Sequence, residues 1–177
     1  MEKQLIELQE DQLKTSTGLS YLALRLNHNL NVALPLGAVR ETLVLASERF
    51  TQMPNTHPCL MGLIEHRSNV FWVLDLPQLL GLPSLDSTAI ETHIAILQMG
   101  KLLLGLGVYR IGQVVRFTET EILPLQGLST INIPDEAKAF LYGVVRTEGR
   151  NSYLYLLDTQ AIASKQYKNE YKNEYKT

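Results

Sequence analysis

The amino-acid sequence predicts an all-β protein made of two small five-stranded β-barrels. Three observations carry that expectation. From Ser20 onward the chain is a series of short runs rich in leucine, valine, isoleucine and tyrosine, separated by Gly, Asn, Pro and Asp. That is strand-and-turn patterning, without the sustained 3.6-residue period of long helices. The runs also recur. CLMGLIEHRSNVFWVLDLPQLL (residues 59–80) matches FLYGVVRTEGRNSYLYLLDTQAI (residues 140–162), with Gly62 answering Gly143 and Asp75 answering Asp158. Upstream, LALRL-turn-VALPLGAV matches IAILQM-turn-LLLGLGV. A small β unit that occurs twice buries its apolar faces and removes its edges by closing into barrels.

The elements follow in order. Residues 1–18 are polar with scattered leucines and read as a frayed helix or an added edge strand. SYLALRL (residues 20–26), an Asn27-His28-Asn29 turn and NVALPLGAV (residues 31–39) form a hairpin, the asparagines suiting positive φ. RETLVLA (residues 40–46) is a third strand. CLMGLIE (residues 59–65) and NVFWVLDL (residues 69–76) flank the polar centre Glu65-His66-Arg67-Ser68-Asn69 as a hairpin. Asp75 then caps one helical turn that tolerates Pro77 and ends at Gly81. PSLDST (residues 83–88) is a linker. HIAILQM (residues 93–99), a Gly100-Lys101 turn and LLLGLGV (residues 102–108) open the second half, followed by QVVRF (residues 113–117). A long connection with one helical turn after Asp135 leads to a closing hairpin, FLYGVVRT (residues 140–147) with SYLYLLD (residues 152–158). QAIASKQYK (residues 160–168) ends the domain as a helix. The domain is expected over 19–165, with a first barrel over about 20–82 and a second over about 90–163. Helix is expected in less than a fifth of the residues.

The end of the chain, YKNEYKNEYKT (residues 167–177), repeats every four residues. On a helix, Lys168, Lys172 and Lys176 would form like-charge i,i+4 pairs, as would Glu170 and Glu174, and asparagine is a weak helix former. Residues 166–177 are therefore expected to be a disordered tail.

Bulk properties narrow the function. With 45% hydrophobic and 19% charged residues the chain has globular composition. A net charge of −2 gives no basic surplus for nucleic acid or an anionic membrane. A lone cysteine, Cys59, excludes an internal disulfide and fits a reducing compartment. The charged start is unlike a signal peptide, and no apolar run is long enough to span a bilayer. A cytoplasmic protein is expected.

Little points to catalysis. His57, Cys59 and His66 lie close in HPCLMGLIEH, but His-x-Cys is not a zinc-ligand spacing, and His28 and His93 sit in other segments. Cys59 beside a histidine is a conceivable nucleophile, yet it opens an apolar strand, where a buried thiol is the commoner outcome. No phosphate loop, dinucleotide or nucleophile-elbow motif is present. No catalytic residue, metal or cofactor is expected.

PNTHPCLMGLIEHRSNVFWVLDLPQLLGL (residues 54–82), VALPLGAVRETL (residues 32–43) and YGVVRTEGRNSYLYLLD (residues 142–158) together resemble the CheW family of chemotaxis adaptors. The resemblance runs from about Ser20 to Ala163. It implies two SH3-like barrels with a third core between them, and an adaptor joining the cytoplasmic tips of methyl-accepting chemoreceptors to a CheA-type histidine kinase. The partner-binding positions it implies are Val39, Glu41, Gly62 and Arg67. Three positions depart from the family pattern. Ser68 stands where a turn glycine is usual, with Asn69 next to supply a left-handed residue. Trp72 stands at a frequent proline, and Tyr109 or Arg110 at a common aspartate. Two other readings remain: a standalone kinase-binding barrel that does not join receptors, and a small metal or thiol enzyme on His57, Cys59 and His66.

Overall fold

Most strands of this chain are apolar on both faces, and the architecture shows why. The computed structural model describes residues 18–126, 128, 133–149, 152–165 and 167. The strands are β1 (Leu19–Arg25), β2 (Asn31–Pro35), β3 (Val39–Ala46), β4 (Leu60–His66), β5 (Asn69–Asp75), β6 (Glu91–Met99), β7 (Leu102–Val108), β8 (Arg110–Phe117), β9 (Ile122–Leu123), β10 (Leu141–Arg146) and β11 (Tyr153–Leu157). Among the described residues there are three short α-helices: α1 (Leu76–Leu79) and α2 (Asp135–Lys138) between strands, and α3 (Thr159–Ser164) after β11. The all-β class is as the sequence predicts.

The strands form two curled sheets, ordered β3-β6-β7-β5-β4 and β8-β1-β2-β11-β10-β9. The two orders are the same arrangement used twice. β3 corresponds to β8, the hairpin β6–β7 to β1–β2, and the hairpin β5–β4 to β11–β10. The isolated bridge Thr51↔Leu63 holds the place of β9, which pairs Leu123 with Val144.

This topology corrects the expected barrel boundaries. The units are not consecutive stretches over 20–82 and 90–163. The first hairpin, β1–β2, leaves its own copy and joins the second sheet, where β2 runs parallel to β11. The hairpin β6–β7 does the reverse, β7 running parallel to β5. The repeat was visible in the sequence; the exchange was not, because swapping equivalent hairpins leaves every local pattern unchanged.

Three apolar cores result. Leu45, Ile64, Phe71, Val73, Ile94 and Ile96 fill the first curl. Tyr21, Ala33, Val145, Leu154 and Leu156 fill the second. The largest lies between the sheets and draws on both, including Leu24 and Leu34 from one, Leu74 and Leu106 from the other, and Ile162 of α3.

The two copies repeat at atomic detail. Register shifts occur at Leu60/Gly62 in β4 and at Leu141/Gly143 in β10. Such bulges bend a strand and sharpen its twist. The Asp75 amide donates to the Cys59 carbonyl at 2.7 Å, and the Asp158 amide to that of Phe140 at 2.8 Å. Each aspartate then caps a helix, Asp75 accepting from the Gln78 amide and Asp158 from the Ala161 amide. Asp75 is buried, and its second oxygen accepts from Leu85 at 2.8 Å, tying down the PSLDST linker.

Local details differ from the sequence expectations. The strand expected over 31–39 stops at Pro35, and a single 3-10 turn, Leu36–Ala38, separates it from β3. At the tip of the β4–β5 hairpin, Arg67 (φ 50°) and Ser68 (φ 63°) both take the left-handed conformation. Asn69 does not supply it; its side-chain amide instead donates to the Arg67 carbonyl at 3.1 Å. Two consecutive left-handed residues are what a two-residue hairpin of matching twist requires. The tail expected from residue 166 is corrected at Tyr167, which packs against the central core. Its hydroxyl donates to the Ile162 carbonyl at 2.9 Å, and its ring meets that of His57 edge-on. The expectations for residues 1–17 and for the repeat over 168–177 lie outside the described residues.

Two predictions follow from this packing. A Cβ on Gly62 (φ +148°) would sit 2.7 Å from the Thr51 carbonyl oxygen, whereas one on Gly37 would meet nothing within 4 Å. Gly62→Ala is expected to cost roughly 1–3 kcal/mol in denaturant melts, through overpacking and backbone strain. Gly37→Ala should stay within about 0.5 kcal/mol of the parent. Tyr167→Ala should cost roughly 1–3 kcal/mol, below the cost for a fully buried aromatic; an unchanged melting curve would return Tyr167 to the tail.

Candidate functional site

The first curled sheet ends in β3 on one side and β4 on the other, and the curl brings these edges together. Glu41 of β3 meets the tip of the β4–β5 hairpin. His66 Nε2 lies 2.5 Å from Glu41 Oε1, a hydrogen bond the carboxylate accepts. Arg67 Nε lies 3.5 Å from Glu41 Oε2. The Glu41 side chain is 24% exposed and that of Arg67 is 72% exposed. The carboxylate therefore sits in the seam while the guanidinium stands at the surface above it.

The local sequence explains the arrangement. A register shift between Val39 and Glu41 in the β3–β6 ladder bulges Arg40 outward. The left-handed turn fixes where Arg67 leaves the backbone. The hydrogen bond from His66 is the main reason the Glu41 carboxyl is held below the usual carboxylate range; burial opposes it, and the positive charges of Arg67, His66 and Arg40 add smaller lowering effects. This fits an ionised Glu41 bridging the two edges at neutral pH.

The predicted positions therefore divide. Glu41 and Arg67 are brought together as an ion pair. Val39, two residues before Glu41, is half-buried and packs its side chain against the central core. Gly62 is buried, and its close backbone neighbour is Thr51 of the same chain. It sets the bend of the strand that carries His66 and Arg67. His66 was considered in the sequence only as a metal or thiol partner. Its contact with Glu41 joins strands separated by an irregular stretch, and no local spacing signals it.

Two depressions lie beside the β6–β7 turn and α3. One depression of about 600 Å³ is half polar, lined by Gly37, Ala38, Gln98, Met99, Leu102 and Gln160. A second, of about 560 Å³, is lined mainly by Leu60, Trp72, Leu103, Leu104 and Tyr167. Leu102 and Ala163 line both, so the two adjoin. Trp72 thus takes part in an apolar surface, which its sequence context did not reveal.

The thiol reading meets a physical obstacle. Cys59 is buried, with its Sγ 2.9 Å from His57 Nδ1. Burial pushes its pKa up to about 11, which keeps it a thiol at neutral pH rather than the nucleophilic thiolate. Among the described residues, no group of three or more His, Cys, Asp or Glu is placed to hold a metal ion. No helix among them is long and apolar enough to cross a membrane.

The depressed Glu41 pKa has a pH consequence. The folded value lies below the unfolded one, so the stabilisation is present above the unfolded value and is lost as pH falls through the folded one. Glu41→Gln should flatten the fall in melting temperature below about pH 4.5, the ordinary glutamate range. Parallel acid melts of parent and variant check this; identical slopes would remove the seam ion pair from the account.

Comparison with known proteins agrees with the architecture. No curated protein matches the chain. Among solved structures, the scaffolding protein TtCheW from Thermoanaerobacter tengcongensis superposes with a TM-score of 0.66 at 21% sequence identity, over 80% of this chain and 90% of that one. At that identity the likeness establishes the fold. The family model for the CheW-like domain matches residues 20–166. With two curled sheets, exchanged hairpins and a match over most of its length, the chain belongs to the CheW-like domain family.

Proposed function

We propose that the protein is a non-catalytic adaptor in a chemotaxis-type pathway, coupling the cytoplasmic tips of methyl-accepting chemoreceptors to a CheA-type histidine kinase. The observation that carries this reading is the seam. Glu41 on one edge holds His66 and Arg67 on the other, and Arg67 presents its guanidinium outward from a rigid two-residue turn. A guanidinium offers five donors in a planar fork, suited to carboxylate or carbonyl oxygens on a partner helix. The apolar depression lined by Leu60, Trp72, Leu103, Leu104 and Tyr167 offers a place for that helix's apolar face. Membership of the CheW-like family supports the same class of partner. Acting through partners, such an adaptor would lie on the cytoplasmic side of a receptor array.

The test is a titration of the protein with a chemoreceptor signalling-tip fragment and with a CheA-type kinase, separately and together. A ternary complex is expected. Arg67→Ala should weaken receptor binding by about 1.5–3 kcal/mol, the loss of a charge-assisted hydrogen bond. Its effect on the melting temperature should be small, because an ion pair this exposed contributes little to folding. Kinase binding without receptor binding would favour the standalone module. Undiminished receptor binding by Arg67→Ala would remove the turn from the interface.

A further inference from the structure

The second sheet ends in a strand that is open where its counterpart is closed. β8 is the end strand of its sheet, and β1 is the strand that pairs with it. Its counterpart β3 carries Glu41 into a seam contact. The corresponding stretch of β8, Gly112-Gln113, carries no acid. Arg110, Gly112, Gln113, Val114 and Arg116 are all exposed.

Among the described residues, the charges on this edge have no carboxylate partner. Arg110 lies directly opposite Arg25 in the β1–β8 ladder, and Arg116 opposite Ser20. Arg25 faces Asn31 on its other side. Like charges directly opposite each other on a ladder destabilise it. Among the described residues, the ion pairs involve Glu41 and Asp135, and none engages Arg25, Arg110 or Arg116. The nearby carboxylate of Glu121 accepts from Thr118. Beside the arginines, Tyr109 is 39% and Val114 52% exposed. Arg110 lies 5.9 Å over the Tyr109 ring, and the His28 ring meets Tyr109 edge-on.

Scattered cations are a common means of keeping edge strands from pairing. That role accounts for Arg110 and Arg116, but not for Arg25, which lies on an inner strand and adds repulsion. An anion at the edge would relieve it. We propose that β8 is a docking edge for an extended, acidic segment of a protein partner. The partner's backbone would extend the second sheet. Its carboxylates would meet Arg25, Arg110 and Arg116, and its apolar residues would meet Val114 and Tyr109. Addition of a strand to a sheet edge supplies affinity through main-chain hydrogen bonds and specificity through alternate side chains. Tyrosine and arginine are the residue types that dominate interface energetics. A protein with a net charge of −2 is poorly suited to a nucleic-acid polyanion, which favours the peptide. The inference concerns a different edge from the receptor reading and does not rest on it.

The test uses the full chain and a fluorescein-labelled peptide, Glu-Val-Glu-Leu-Glu-Val-Glu, with its Gln-for-Glu counterpart and a single-stranded oligonucleotide of similar charge as comparators. Fluorescence anisotropy should show the acidic peptide binding at least about tenfold more tightly than the Gln peptide, with affinity falling as salt rises. Amide exchange in β8 should slow on binding. Arg25→Glu and Arg110→Glu should each weaken binding on the order of tenfold or more. The melting temperature should hold or rise, because each reversal turns a repelling ladder pair into an attracting one. Arg110→Gln provides a neutral variant should either reversal disturb folding. Equal binding of the two peptides, insensitivity to all three substitutions, no protection of β8, or preference for the oligonucleotide would each overturn the proposal.

Discussion

The central apolar layer between the two sheets is the constraint on which the rest of the structure depends. Both sheets place one face inside their own curl and the other against this layer. In β6, Ile94 and Ile96 point into the first curl while Ala95 and Leu97 face the shared core. In β11, Leu154 and Leu156 point into the second curl while Tyr155 and Leu157 face outward to the same layer. Strands buried on both faces lose the apolar-polar alternation of a one-sided sheet. Full burial of one such leucine contributes roughly 1.5–3 kcal/mol. The layer also makes the hairpin exchange workable, since β1–β2 and β6–β7 present equivalent faces to either sheet.

Positioning of the site follows from two departures from regular strand geometry. Gly62 lets β4 bend against the Thr51 carbonyl, and the left-handed pair Arg67-Ser68 turns the chain back within two residues. Left-handed geometry is costly for residues with a Cβ, so the turn is held by its surroundings. The apolar strands on either side fix it, the Asn69 side chain accompanies it, and Glu41 meets both His66 and Arg67. The polar interruption in an otherwise apolar stretch is thus an electrostatic closure of the first curl that also carries an outward guanidinium.

How much of this was legible in the sequence depended on range. Strand existence, the β4–β5 and β10–β11 hairpins and the cap at Asp75 could be read, because turn residues and apolar runs act locally; Asp158 was visible only as the repeat counterpart of Asp75. The Gly62–Gly143 correspondence was visible as a repeat and proved to mark equivalent bulges. Glu41 and Arg67 were identified through a family resemblance, and the fold joins them. Hairpin exchange could not be read, since both pairings satisfy the same local pattern. The His66–Glu41 contact and the docking of Tyr167 depend on how the sheet curls and on which core surface remains open beside α3. The two-residue β9 is too short to leave a periodic signal.

The two halves share a backbone plan and differ in how they finish their edges. In the first curl an acidic residue on β3 reaches the opposing hairpin, and the cations there are partly satisfied within the chain. In the second, the matching strand substitutes Gly112 and Gln113, and Ala23 approaches so closely that a Cβ on Gly112 would sit 2.9 Å from its carbonyl oxygen. Close packing of β8 on β1 at that point leaves no room for a bridging side chain. It holds Arg110 and Arg25 to the same ladder position, where neither can escape the other by a shift of register. Duplication supplied one architecture twice. The side chains at the two end strands then made one edge a closed electrostatic contact and left the other a cationic surface without an ion-pair partner among the described residues.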